Sequence, residues 1–234
     1  FRVTDMVAQR FPHPVTRPWS ERRRQPVRLL KALVERIEAL RPYLVGGLYD
    51  KVLSDPSRQQ VEGELRPVTV LFANFSDLSA LLHGLGPGGD SAAVALLNDY
   101  YNRMQEIIQR YGGIVNKVNI CPHGDALMAV FGAPVAHEDD PERAIHAALE
   151  MQTALVEINR ARSADLPPET SKLTQRIGIN TGHVFAGNVG SSRRKEYTVM
   201  GDAVNLTYRI MSAAGPWEIL VSGSTWQKVM GCFQ

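Results

Sequence analysis

The strongest periodicity in the chain lies at residues 138–162, EDDPERAIHAALEMQTALVEINRAR, where Ile145, Ala148, Leu149, Leu155 and Ile158 recur at helical spacing. Acidic residues crowd its first turn and arginines its last, the arrangement that complements a helix dipole. A second helical segment runs from about Ser91 to Tyr111. Val94, Leu97, Tyr101, Met104 and Ile108 share its apolar face, and Gly112-Gly113 supplies the stop. Elsewhere the pattern shortens. VTVLFANF (68–75) is an apolar run rich in β-branched residues and predicts a buried strand. IVNKVNI (114–120) and ALMAVFG (126–132) predict two strands joined through CPHGD as a hairpin. QRIGINTG (175–182) and HVFAGNVG (183–190) predict two more, and SSRRKEYTVMG predicts a polar arm returning into a strand. DAVNLTYRIMSAAG (202–215) reads as a helix stopped at Gly215, and EILVSG (218–223) as a further strand.

The stretch before residue 67 has a different character. Pro12, Pro14 and Pro18 sit among arginines and predict little regular structure over the first 25 residues. Pro26 suits the first position of a helix carrying Val27, Leu30, Leu33, Val34, Ile37 and Leu40. Pro42 ends or kinks it, and a second short helix is predicted over Val45 to Leu53, closed by the turn-former SDPS. Charge follows the same division. Residues 1–66 hold 13 Lys/Arg against 8 Asp/Glu, while the remaining 168 hold 13 against 16. The formal charge of +2 therefore conceals a basic leader and a slightly acidic body. The expected organisation is a leader, 1–66, carrying an amphipathic helix, and one domain, 67–234. In that domain the order β-α-β-β-α-β with additions is the split-βαβ pattern of a ferredoxin-like α+β core, its helices covering one face of an antiparallel sheet.

Composition excludes several classes of protein. Hydrophobic residues make up 44% and charged residues 21%, which excludes global disorder. Cys121 and Cys232 cannot make a disulfide framework and fit a reducing compartment. No apolar run approaches the ~20 residues that cross a bilayer, and FRVTDMVAQRF lacks the apolar region of a signal peptide. A cytoplasmic location is expected, and the missing initiator Met leads us to expect a fragment of a longer chain. Arg22–Arg24 reads as a solvated face, so no nucleic-acid partner is expected. No HExxH, CxxC pair, GxSxG or P-loop occurs. His83, His123, His137 and His146 lack ligand spacing and read as loop or surface residues. Chemistry therefore falls to polar residues around the strand ends.

GNVGSSRRKEYTVMGDAVNLTYR resembles the signature stretch of class III nucleotidyl cyclases. GDALMAVFGAP, DPERAIHAAL and RIGINTG resemble further motifs of that family, in the same order, so that the resemblance spans residues 67–231. It implies a βαββαβ sheet with extensions, working as a dimer or pseudo-dimer with nucleotide bound at the seam. One half then supplies two metal-binding aspartates, and the other supplies base recognition and transition-state stabilisation.

The resemblance assigns the transition-state pair to Asn205 and Arg209. Four residues apart on a helix, they share a face. An arginine offers permanent charge and fixed donors to a phosphoryl centre accumulating negative charge, and Asn205 would orient the ribose. Lys117 and Thr198 match the base-selecting positions. Lysine donates to adenine N1 and threonine accepts from the 6-amino group, so ATP is favoured; guanylyl cyclases resemble this pattern with an acid in place of the lysine. Arg193 matches a triphosphate-binding arginine. The metal side departs from the pattern. Asn74 in FAN stands where catalytic members have an aspartate, and a neutral amide supplies no charge to a Mg²⁺ or Mn²⁺ site. Asp125 matches the second metal aspartate, although KVNICPHGD is four residues longer than the usual lysine–glycine spacing. Asp77 is a substitute ligand by proximity.

ELRPVTVLFANF with VNKVNICPHGD is most similar to the second cyclase domain of bicarbonate-sensitive soluble-type adenylyl cyclases. The expected function is the ATP-recognising half of an adenylate cyclase, forming 3′,5′-cyclic AMP and pyrophosphate, with metal held mainly by a second cyclase domain in the same chain or in a homodimer. The alternative is a non-catalytic regulatory domain that binds nucleotide or bicarbonate and controls a neighbour. Relatives continue past VSGSTWQKVMGCFQ through a terminal hairpin, which is expected to be missing here.

Overall fold

The computed structural model describes residues 19–40, 63–76, 90–119, 125–162, 173–190 and 195–233. In chain order the elements are α1 (Trp19–Leu40), β1 (Glu64–Ser76), α2 (Asp90–Arg110), β2 (Ile114–Asn119), β3 (Asp125–Phe131), α3 (Asp140–Arg162), β4 (Thr174–Gly190), β5 (Lys195–Met200), α4 (Asp202–Ala213), β6 (Ile219–Val221) and α5 (Gly223–Val229). The chain divides into two compact units, residues 1–44 and 45–234. In the first unit, α1 begins seven residues before the expected start at Pro26. Glu21, Arg22–Arg24 and Gln25 are strong helix formers and extend it ahead of the proline. The helix predicted over Val45 to Leu53 lies outside the described residues.

In the second unit the sheet is built on β1, which pairs antiparallel with β3 on one edge and β4 on the other. The strand order β2-β3-β1-β4 is that of the ferredoxin-like core, with β5 added beyond β4. β6 pairs parallel to the start of β4 and β5 antiparallel to its end, both on the edge away from β1. Two strands were predicted over 175–190, but β4 is a single strand of 17 residues. The glycines that resembled a turn have another role. At Gly182 an added Cβ would come within 2.8 Å of Ala203 Cβ, so its missing side chain lets α4 lie against the strand.

Alternation along β1 divides the core into two layers. Leu71, Ala73 and Phe75 face Tyr100, Met104 and Ile108 of α2 and Ala144, Ala148, Met151 and Leu155 of α3. Phe75 and Tyr100 pack with ring centroids 4.6 Å apart. Val68, Val70 and Phe72 face the other way, with Met128 and Val130 of β3, Val184 of β4, Tyr197 and Val199 of β5 and Met211 of α4. The expectation that helices cover one face is therefore corrected: α2 and α3 cover one, and α4 packs on the other, where Phe72 meets Tyr208 edge-on at 5.6 Å. Within the predicted stripes, Val94 and Leu149 are exposed. The buried face of α3 keeps the predicted Ala148, Leu155 and Ile158 and adds Ala144 and Ala147, small residues that bring the helix close to the sheet.

α5 was not foreseen. Ser222 caps it, its hydroxyl accepting from Thr225 N at 3.1 Å. No described helix is long and apolar enough to cross a membrane.

Candidate functional site

Helix α4 leaves β5 through Gly201, whose φ of 144° is open to glycine and strained for other residues. Thr207 and Met211 are buried against the sheet, which turns the opposite side outward. Asn205 and Arg209, one turn apart on that side, line a cleft of about 450 Å³ together with Asp202, Leu206, Asn180 and Ser224. Among the described residues Arg209 makes no ion pair. A guanidinium held on a helix and lining an open cleft can present its fork of donors to an anion without first leaving a partner.

The second pair of sequence candidates lies where the sheet curls. β2 and β5 are at opposite ends of the strand order, yet Asn116 Nδ2 donates to Tyr197 O at 3.0 Å. Thr198 Oγ1 donates to Asn116 Oδ1 at 3.4 Å. A register shift between Val115 and Lys117 marks this point on β2. Lys117 is half-buried and pairs with Glu196 across the junction, Nζ to Oε1 at 3.7 Å. Burial pushes the neighbouring Tyr197 phenol above its usual pKa. Lys117 and Thr198 thus converge on one junction, and Asn205 and Arg209 on one cleft; neither Lys117 nor Thr198 lines that cleft. Asn116 and Glu196 went unread in the sequence, because a strand reading IVNKVN gives no sign that its edge meets β5.

Asn74, at the first metal position suggested by the sequence, is buried. Its Oδ1 accepts from Arg176 Nε at 3.0 Å, and Arg176 also reaches Ser212 O on α4 at 3.5 Å. The two residues are register partners on β1 and β4. A neutral amide already oriented by a permanent cation does not fit a Mg²⁺ or Mn²⁺ ligand, which is ordinarily a carboxylate. Asp125 opens β3 opposite Phe75, one register step from the Asn74–Ala126 pair. Asp77 and Arg193 lie outside the described residues. Among those described, no three His, Cys, Asp or Glu side chains form a group able to hold a metal ion. His137 Nδ1 lies 3.1 Å from Asp140 Oδ1 at the start of α3, and His146 stacks on Tyr111 and meets Phe233 at a tilt.

The described domain is thus an α+β, ferredoxin-like sheet whose fifth strand approaches the far edge, with a cleft beside the outward side of α4. Residues 61–233 match the adenylate and guanylate cyclase catalytic domain, and the chain belongs to that family, the class III cyclases. Adenylate cyclase 1 of Rhizobium meliloti (strain 1021) is 32% identical over 159 residues, which are 67% of this chain and 22% of that protein. This chain therefore spans about a fifth of the length of that curated relative. The solved structure of the guanylyl cyclase Cya2 is 36% identical with a TM-score of 0.62, covering 71% of this chain and 79% of its own. The adenylyl cyclase CyaB from P. aeruginosa is 31% identical with a TM-score of 0.64, covering 73% and 84%.

Proposed function

We propose that this domain is the ATP-recognising half of a composite adenylate cyclase site, forming 3′,5′-cyclic AMP and pyrophosphate with a second cyclase domain. The observation that carries the reading is the pairing of Asn205 and Arg209 on one cleft, with Arg209 unneutralised among the described residues. Arg209 stabilises charge gathering on the phosphoryl group, and Asn205 orients the ribose. Lys117 donates to the adenine ring nitrogen. Thr198, whose hydrogen goes to Asn116, keeps lone pairs that accept from the 6-amino group. Arg193 binds the triphosphate. Divalent ions, when bound, would neutralise the triphosphate and activate the 3′-hydroxyl. Asn74 does not suit such an ion, so the partner half carries the main metal ligands, whether it lies on the same polypeptide or in a separate chain. The basic stretch 1–66 would be the linker to it, as in the two-domain soluble-type adenylyl cyclases that the sequence resembles.

Arg209→Ala, assayed with a metal-competent cyclase domain, is expected to lower cyclic AMP formation by about a hundredfold or more. An unchanged rate would remove the assigned role. A second reading is favoured by the amide at residue 74 and its bond to Arg176: a regulatory domain that binds nucleotide or bicarbonate without turning over. It predicts ATP binding with no product in any pairing.

A further inference from the structure

The first turn of α4 carries Asn205, and side chains outside that turn help to hold it. Its N-cap is Gly201, which offers no side-chain hydrogen bond. Gly201 O accepts from Val204 N at 3.1 Å and from Asn205 N at 3.4 Å. The turn is fixed further at Ala203 O, which accepts from Thr207 Oγ1 at 2.7 Å and from Asn180 Nδ2 at 2.9 Å. Asn180 belongs to β4, so its amide ties the start of the helix to the sheet. The other end of that amide is also occupied. Asn180 Oδ1 accepts from Ser224 Oγ at 3.1 Å, and the same hydroxyl lies 2.8 Å from Thr181 O, so one hydrogen is shared between two acceptors.

Ser224 stands at the end of a run of hydroxyls. Thr69 Oγ1 meets Thr181 Oγ1 at 3.0 Å, Thr181 meets Thr225 at 3.0 Å, Thr225 meets Ser222 at 3.0 Å, and Ser222 meets Ser224 at 2.9 Å. Thr69, Thr181 and Thr225 are buried. The run joins β1, β4 and α5 into one polar frame, and Asn180 is its outlet to α4. Asn180 and Ser224 line the cleft with Asn205 and Arg209, but their polar groups point into this frame rather than at a ligand.

The geometry points to Ser224 and Asn180 as positioning residues: through Ala203 O they set the first turn of α4 and so the placement of Asn205 and Arg209. The inference rests on the proposed roles of that pair. A displacement of about 1 Å in a catalytic group is enough to cost orders of magnitude in rate, while ground-state binding spread over other contacts suffers less. Ser224→Ala removes the donor to Asn180, Ser224→Thr retains it, and Asn180→Asp replaces the donor to Ala203 O by an acceptor at nearly constant shape.

The test combines two readouts on the full chain. In the first, hydrogen exchange of the amides at residues 203–207 is measured by mass spectrometry. In the second, kcat and KM for ATP are measured with a metal-competent cyclase domain in excess, with Arg209→Ala run alongside. Ser224→Ala and Asn180→Asp are expected to speed exchange in that turn and to lower kcat about tenfold with KM changed less than about twofold. Ser224→Thr is expected to restore both. Unchanged exchange overturns the inference whatever the activity does. Faster exchange with unchanged kcat, while Arg209→Ala abolishes turnover, also overturns it, because the frame would then hold the helix without positioning the pair. If Arg209→Ala is itself without effect, the reading of the pair fails. Exchange then decides separately whether the frame holds the turn.

Discussion

Thr198 gives its only hydrogen to Asn116, and Lys117 shares its charge with Glu196 at 3.7 Å. Both facts bear on base choice. The threonine can only accept from an adenine amino group while that bond persists. The lysine's partner is a half-exposed carboxylate, and such a pair contributes little, about 0–1 kcal/mol, so an incoming base can displace it. Lys117→Ala is therefore expected to lower kcat/KM for ATP by about tenfold or more and to narrow the preference over GTP, because a buried acceptor on the base loses its donor. Glu196→Gln frees the lysine and is expected to keep the preference. Steady-state rates with both nucleotides check this; a Lys117→Ala protein with unaltered ATP-to-GTP selectivity would leave base choice to other residues. Asn74 is the opposite case. Its amide is buried and engaged with Arg176, so its place in the molecule is structural; under the proposed function the metal chemistry of that position would pass to another domain.

At the scale of elements, the decisive contact is the one between β4 and α4. Gly182 faces Ala203 with no room for another methyl group. Gly182→Ala is expected to destabilise the domain by about 1–3 kcal/mol, since the colliding atom is a short side chain on the helix and cannot swing away. Combination with Ala203→Gly should recover part of the loss, less the cost of about 1 kcal/mol for glycine in a helix. Urea unfolding of the three variants measures both quantities, and a neutral Gly182→Ala would show that α4 stands further from the strand. The same contact explains what the chain disclosed by pattern and what it did not. The strands of the core, α2 and α3 were legible, because their apolar residues follow periods set by one or two buried faces. The continuity of β4 was not, since Gly182 reads as a turn residue while its missing side chain serves Ala203, a neighbour far along the chain. α5 was hidden for a related reason: with seven residues it has too little apolar face to show a period. The spacing of Asn205 and Arg209 placed both on one cleft, whereas Asn116, Glu196 and Arg176 act through contacts between distant strands that no local pattern encodes.

At the scale of the whole molecule, these pieces describe a cyclase domain with unequal halves of its chemistry. Under the proposed function the outward face of α4 and the curled junction of β2 with β5 would offer groups to a nucleotide, while Asn74, at the position the sequence matches to a metal ligand, is a neutral amide bonded to an arginine. The central claim is that turnover needs a second, metal-competent cyclase domain. The direct measurement is cyclic AMP formed from ATP with Mg²⁺ or Mn²⁺, by the chain alone and by the chain mixed with such a domain. Background is expected from the chain alone, and from the mixture a turnover that Arg209→Ala on this chain abolishes. Turnover by the chain alone, or ATP binding without product in every pairing, would contradict the claim.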